Sequence, residues 1–286
     1  MDMHKLLRAS RAVRANLLGT RFVLLGPNYG SLIARNGMLL VTMADDLSVG
    51  IGLAHNGAWE PHLGGLLKHL LRPGQHAAEG GANIGWHTLT IADRIGPAGR
   101  LHSFEVMPDF HTVLRANLRL NRLVTQVTLH ETALWHEEVE LTLLQDVSHR
   151  GSGHVSQSAA NAVYSRSITA RATALDAALA GSPPLDLLRL DIEGAEGMAL
   201  RGARQTIERS PGLNIVMEWL PGMLRHHGDP MEEMRHLARQ GFRAWEIIGR
   251  PLRLPFTRPF RLEPLDMEAL ANIDQSDILL SRQDPG

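Results

Sequence analysis

The sequence has no cysteine. That excludes disulfides, a thiolate nucleophile and any cysteine-bound zinc, and a reducing cytoplasm fits such a chain. Net charge is scarce as well: 29 basic against 30 acidic residues leave −1 at neutral pH. A nucleic-acid binder needs a basic field, so that class loses its electrostatic basis. Long apolar runs are missing too. Arg8, Arg11 and Arg14 interrupt the N-terminal segment, which excludes a signal-peptide core, and nowhere is there a stretch able to span a bilayer. The Gly-x-Gly pair of a nicotinamide fingerprint is also absent.

What remains is the composition of an ordinary globular protein, 286 residues at 44% hydrophobic and 21% charged. That length suits one large α/β domain with an extension, or two small domains. Residues 5–18 are expected to form a short basic amphipathic helix. Strands are expected at 21–25 and 38–43, and together with that helix they make an N-terminal element over 1–55, read as a cap or as a dimerisation element of a homodimer. From 56 to 286 strand and helix signals alternate. Helices are expected at 59–71, 85–95, 109–121, 195–208 and 230–240. Strands are expected at 75–79, 100–105, 126–130, 185–190, 213–218, 242–248 and 277–281. Apolar strands alternating with helices imply a parallel sheet covered on both faces. Residues 135–172 break that rhythm and read as a hairpin plus a loose loop. Residues 249–266 carry Pro251, Pro255, Pro259 and Pro264 and read as an excursion unfit for a central strand.

Three stretches carry chemistry. The first is Glu79-Gly80-Gly81-Ala82-Asn83-Ile84-Gly85, where a strand turns into a helix. Few side chains there let backbone N–H groups approach a ligand, and the helix adds a partly positive end. The spacing acidic-x-Gly-x-x-x-Gly suits a cofactor without a pyrophosphate, one whose amino-acid part meets the backbone; S-adenosylmethionine fits. The second is Glu105, at the end of the next strand, where a carboxylate can accept both ribose hydroxyls of a nucleoside. The third is Asp191-Ile192-Glu193-Gly194-Ala195-Glu196. Asp191 is expected to face the crevice. Glu193 and Glu196 can cap the following helix, or the three carboxylates can take a divalent metal with waters; no metal is assigned.

Taken together, these stretches resemble the FkbM family of S-adenosylmethionine-dependent methyltransferases over about residues 55–281. The resemblance rests on Gly81-Ala82-Asn83-Ile84-Gly85 with Thr88-Leu89, and on Phe104-Glu105 with Pro108, Asn117 and Asn121. It extends to Thr173-Ala174-Leu175-Asp176, to Asp191-Ile192-Glu193-Gly194-Ala195-Glu196 with Leu200-Arg201-Gly202, and to Glu218. Trp59-Glu60-Pro61 is similar to the aromatic-Glu-Pro ahead of the family's first helix. The resemblance implies a Rossmann-like class I methyltransferase fold. Its seven-stranded, mostly parallel sheet would have an antiparallel last strand and helices on both faces. It implies methyl transfer, usually to oxygen. By position, Glu79, Gly81, Asn83 and Gly85 would surround the methionine part, Glu105 would hold the ribose, Thr132 and Ala133 would border the adenine, and Asp191 would lie near the transfer point. Four features depart from the pattern: Glu79 for the usual Asp, Arg189 for Lys, Val106 for Pro, and a first strand (Gln75-His76-Ala77-Ala78) poor in branched residues.

An alcohol acceptor benefits from a base. The candidates are Asp191, Glu218 and His226, with His227, His154 and His55 behind them among fifteen histidines. The function expected is a cytoplasmic O-methyltransferase for a small-molecule or sugar-bearing metabolite. The rival readings are a nicotinamide-dependent oxidoreductase and a non-catalytic cofactor-binding protein.

Overall fold

The computed structural model describes residues 21–24, 29–34, 37–42, 49, 52–53, 57–145, 154–155, 166–250 and 258–286. The helix expected at 5–18 and His55 lie outside them, as does the side chain of His154. In chain order the strands are β1 (Arg21–Leu24), β2 (Tyr29–Ala34), β3 (Gly37–Thr42), β4 (His76–Gly80), β5 (Arg100–Phe104), β6 (Val127–His130), β7 (Ala133–Trp135), β8 (Val139–Gln145), β9 (His154–Val155), β10 (Arg166–Ala174), β11 (Leu187–Leu190), β12 (Asn214–Trp219), β13 (Arg243–Gly249), β14 (Phe260–Leu265) and β15 (Ser276–Ser281). The α-helices are α1 (Pro61–Leu70), α2 (Trp86–Ile95), α3 (Pro108–Leu120), α4 (Leu175–Ala178), α5 (Glu196–Arg201), α6 (Arg204–Glu208), α7 (Pro221–Leu224) and α8 (Met231–Arg239).

Eight strands form the main sheet in the order β14-β13-β15-β12-β11-β4-β5-β6. The run β12-β11-β4-β5-β6 is parallel. The last strand, β15, runs antiparallel between β12 and β13. This is the expected class I methyltransferase arrangement of seven strands, with one strand more. The extra strand, β14, falls in the proline-rich excursion and, among the described residues, pairs only with β13. An edge position tolerates Pro264, which has no N–H to give to a second neighbour.

The central strands are buried on both faces, which explains their uninterrupted apolar reading. All four residues of β11 are buried, Arg189 among them. The alanines of β4 split between two cores. Ala77 belongs with Leu63, Leu66 and Leu67 of α1, and Ala78 with Phe104, Leu134 and Leu200 on the other side. The strand needs little bulk of its own because large side chains close over it from both faces.

The helix expected over 195–208 is two helices, α5 and α6. Between them Gly202 passes so close to the backbone of β7 that a Cβ on it would lie 2.1 Å from the Trp135 carbonyl oxygen. Asp176 then caps α6, its carboxylate accepting from Thr206 N (2.7 Å) and Gln205 N (3.0 Å). The Thr173–Asp176 and Leu200–Gly202 stretches, separate in sequence, thus meet at one junction.

A second sheet, β7-β10-β8-β9, contains the hairpin expected in 135–172: β8 and β10 pair from Val139↔Ala172 to Gln145↔Arg166. The N-terminal element is a three-stranded meander, β1-β2-β3, where the sequence reading has two strands. Leu32 of β2 is fully buried in a third core with Ile84, Leu89, Phe110 and Val113. The meander therefore packs beside the segment that follows β4.

Candidate active site

The parallel strands end together, and the turn from β4 into α2 lies at their carboxyl end. Gly81 N and Ala82 N both donate to Phe104 O (3.0 and 3.1 Å), so the turn bends over β5. Gly81, Asn83 and Gly85 hold positive φ of 79°, 51° and 96°. At Gly81 the requirement is absolute, since a Cβ would sit 1.9 Å from the Asp191 carbonyl oxygen. Asn83 tolerates the left-handed region, as asparagines do, and its Oδ1 accepts from Ile84 N (2.7 Å).

Glu105 is tied to this turn. Its Oε2 accepts from Asn83 N and its Oε1 from Met107 N, both at 2.7 Å. Burial pushes the carboxyl up to about 7 in spite of these donors.

Two cavities open along the strand ends. The larger, about 900 Å³ including space open to solvent, is lined by the turn Gly81–Ile84, Glu105, Trp59, Glu60, Asp191 and Glu218, among others. The smaller, about 530 Å³, is lined by Val106, Met107, Thr132, Ala133, Leu134 and their neighbours. Gly81, Asp191 and Glu193 line both. The structure thus brings Gly81, Asn83, Glu105, Asp191 and Glu218 to one cleft and Thr132 and Ala133 to the adjoining one.

Glu79 requires a correction. Its carboxylate is fully buried and lines neither cavity. Oε1 accepts from Thr88 Oγ1 (2.6 Å) and Ser103 Oγ (2.7 Å). The pleat of β4 directs this side chain beneath the turn, so it holds the turn from below rather than meeting a ligand. His226 is a second correction. It is exposed on the 3₁₀ turn Arg225–His227 and lines neither cavity, because that turn points it outward. His227 packs edge-on to Trp135, with centroids 5.0 Å apart.

The acidic stretch after β11 divides its work. Glu196, buried, accepts from Ile192 N (2.9 Å) and so holds the turn into α5. Glu193 does no capping. It sits at φ 55° where the two cavities meet. Burial, with the charges of Asp191, Glu218 and Glu196, raises it to about 8. Glu218, at the end of β12, accepts from Gln275 Nε2 (2.8 Å), and burial together with Asp191 raises it to about 7. Asp191 is raised by burial against the pull of Arg189, whose Nη2 donates to Asp191 Oδ2 at 2.5 Å while Nη1 reaches Gly81 O at 3.3 Å. Among the described residues, no group of three histidine, aspartate or glutamate side chains is placed to hold a metal ion.

Sequence reasoning missed one wall of the cleft: Trp59, Glu60, Trp86 and His87. Trp86 Nε1 donates to Trp59 O (2.8 Å), and His87 Nε2 stands 2.9 Å from Glu60 Oε2. The signal was the Trp59-Glu60-Pro61 stretch itself, noted as a likeness but given no role.

Residues 79–244, more than half of the chain, match the family model described as the methyltransferase FkbM domain. No curated protein matches the sequence. Among solved structures, the chain is similar to an FkbM methyltransferase from Methylobacillus flagellatus KT, at 12% identity and a TM-score of 0.46, over 80% of this chain and 52% of that one. It is similar to an S-adenosylmethionine-dependent O-methyltransferase from Thermotoga maritima, at 13% identity and a TM-score of 0.43, over 89% and 85%. It is also similar to fibrillarin from Aeropyrum pernix with natively bound S-adenosylmethionine, at 13% identity and a TM-score of 0.43, over 91% and 97%. The chain belongs to the FkbM family of S-adenosylmethionine-dependent methyltransferases.

Proposed function

We propose that this enzyme methylates a hydroxyl oxygen of a small-molecule or sugar-bearing metabolite in the cytoplasm. The observation that carries the reading is the joining of the two cavities at Gly81, Asp191 and Glu193. It gives a nucleoside a path from Thr132 and Ala133, past Glu105, to the glycine turn, and it leaves Asp191, Glu193 and Glu218 for the acceptor. The residues present fit the cofactor. Glu105 offers its carboxylate to the ribose hydroxyls, the turn presents backbone to the methionine part through Gly81 and Asn83, and the smaller cavity has apolar walls suited to a purine. Gly85, buried against Leu114 and lining neither cavity, only shapes the turn. Residues 56–286 make up this catalytic unit, with the N-terminal element as its cap or dimer contact.

S-adenosylmethionine supplies an already activated methyl group, so the protein's share is alignment, exclusion of water and management of one proton. An acceptor hydroxyl held here would have to give up its proton to a side chain of this chain. Glu218 and Glu193 suit that task. Carboxyls raised to about 7 and about 8 hold a proton more readily than ordinary ones at neutral pH, which matches a general base to its working pH. Asp191, locked to Arg189, orients the acceptor. Titration calorimetry with S-adenosylmethionine tests the first half: no heat at millimolar cofactor overturns the reading. A mass-shift screen of hydroxylated metabolites tests the second. Cofactor binding without methylation of any hydroxyl, or methylation at nitrogen or carbon instead, overturns the oxygen specificity.

A further inference from the structure

We infer that Glu60 binds the α-ammonium group at the methionine end of the cofactor, the position that the sequence pattern assigns to Glu79. The inference rests on the reading of the larger cavity as the S-adenosylmethionine site. If the nucleoside occupies the side of Glu105 and Thr132, the amino-acid end falls at the turn after β4 and the start of α2. The carboxylate nearest that end in sequence, Glu79, is sealed under the turn. The other carboxylates of the cleft have different work. Glu105 holds Asn83 N and Met107 N at the nucleoside side, Asp191 is taken by Arg189, Glu218 is held by Gln275 at the end of β12, and Glu193 stands where the cavities meet.

Glu60 is the carboxylate fixed to the start of α2. His87, in the first turn of that helix, grips its Oε2 at 2.9 Å, and Trp86 binds the backbone of Trp59 just before it. Among the described residues, no hydrogen bond engages Oε1. The side chain is 27% exposed, and it lines the cleft. The backbone at Glu60 is left-handed, φ 41° and ψ 62°, immediately before Pro61, a conformation that a residue preceding proline avoids unless its surroundings impose it. Burial works to raise its carboxyl, but the hydrogen bond from His87 and the charges of His87, Arg189 and His62 outweigh it and leave the group below the ordinary glutamate range. Glu60 is therefore an anion at neutral pH. In a cavity that Trp59 and Trp86 also line, the chemistry it matches is a compact cation with several N–H donors, which is a primary ammonium.

The test compares three ligands by calorimetry on the full chain and on Glu60→Gln, which keeps the shape and a hydrogen bond to His87. S-adenosylhomocysteine carries the ammonium, its deaminated analogue keeps the carboxylate without the ammonium, and 5′-methylthioadenosine lacks the amino-acid end altogether. The expected result is a loss of about tenfold to a hundredfold in affinity for S-adenosylhomocysteine, the range of a charge-assisted hydrogen bond. Affinity for 5′-methylthioadenosine and for the deaminated analogue should stay within about twofold. Equal losses for all three ligands mean that Glu60 only supports the turn, and they overturn the inference. So does unchanged affinity for S-adenosylhomocysteine. If wild-type protein binds none of the three, the cofactor reading of the cleft itself falls, an outcome distinct from a Glu60 variant behaving like wild type.

Discussion

Glu79 and Arg189 stand in register on the adjacent parallel strands β4 and β11. Both are buried on the same sheet face. Glu79 holds Thr88 and Ser103 below the turn, while Arg189 reaches past it to Asp191 and the Gly81 carbonyl. The charges of Asp191, Glu60 and Glu79 keep the guanidinium protonated against its burial.

Neutralising Glu79 removes one of the three carboxylates whose charges act on Arg189, and removing Arg189 takes the partner from Asp191. Glu79→Gln and Arg189→Met are each expected to cost about 3 kcal/mol. The double variant should cost less than the sum by about 0.5 kcal/mol or more, as charges that act on one another within a buried network do. Urea unfolding of the four proteins measures this, and additivity would refute the pairing.

Glycine is required at the turn and merely present elsewhere. Gly81→Ala places a Cβ against the Asp191 carbonyl at a φ of 79°, so a loss of about 3 kcal/mol or more is expected, together with loss of S-adenosylhomocysteine binding. Gly222→Ala, with nothing within 4 Å of the new atom, should stay within about 1 kcal/mol of wild type. Thermal melts and calorimetry of both variants decide the matter; a tolerated Gly81→Ala would mean that the turn is not built as described.

Stability should fall from pH 7 to 8.5. Glu105, Glu196 and Glu218 are raised to about 7 and Glu193 to about 8, from an ordinary 4.5. In this window the folded chain holds protons that the unfolded chain has already released. The stability these carboxyls confer is complete below their unfolded values and is lost as pH rises through the folded ones. His62, raised by its hydrogen bond to Asp277, acts in the same direction. His102 and His130, lowered by burial, have the opposite sign, but they act below about pH 7, where an unperturbed histidine protonates. Urea midpoints across pH 7–8.5 read the trend, and Glu193→Gln should flatten its upper half. A midpoint that rises with pH contradicts it.

Once an acceptor is in hand, Glu218→Gln should lower kcat by about a hundredfold, the contribution of a general base, with S-adenosylhomocysteine affinity within about twofold of wild type. His226→Ala, exposed and outside both cavities, should change neither. Single-turnover rates on the three proteins check both statements. A slow His226→Ala with a normal Glu218→Gln would reverse the assignment.

The order of strands and helices was legible in the sequence, because buried parallel strands leave short apolar runs and amphipathic helices a local period, and neither needs a partner to be seen. The glycine turn was legible for a similar reason. A backbone at positive φ admits few residue types, and Gly81, Asn83 and Gly85 are those types. The eighth strand was not, since an edge strand shows itself only when the sheet supplies a neighbour. The break between α5 and α6 also escaped, as Gly202 is required by the Trp135 carbonyl from another sheet. The carboxylates separate most sharply. Sequence placed Glu79, Glu105, Asp191 and Glu218 near the strand ends, where chain position alone puts them. Tertiary structure turned Glu79 under the turn, set Glu193 between the cavities and brought Glu60 across to His87. Which way a side chain points at a strand end depends on the pleat and on what packs over it, and neither is written in the residues themselves.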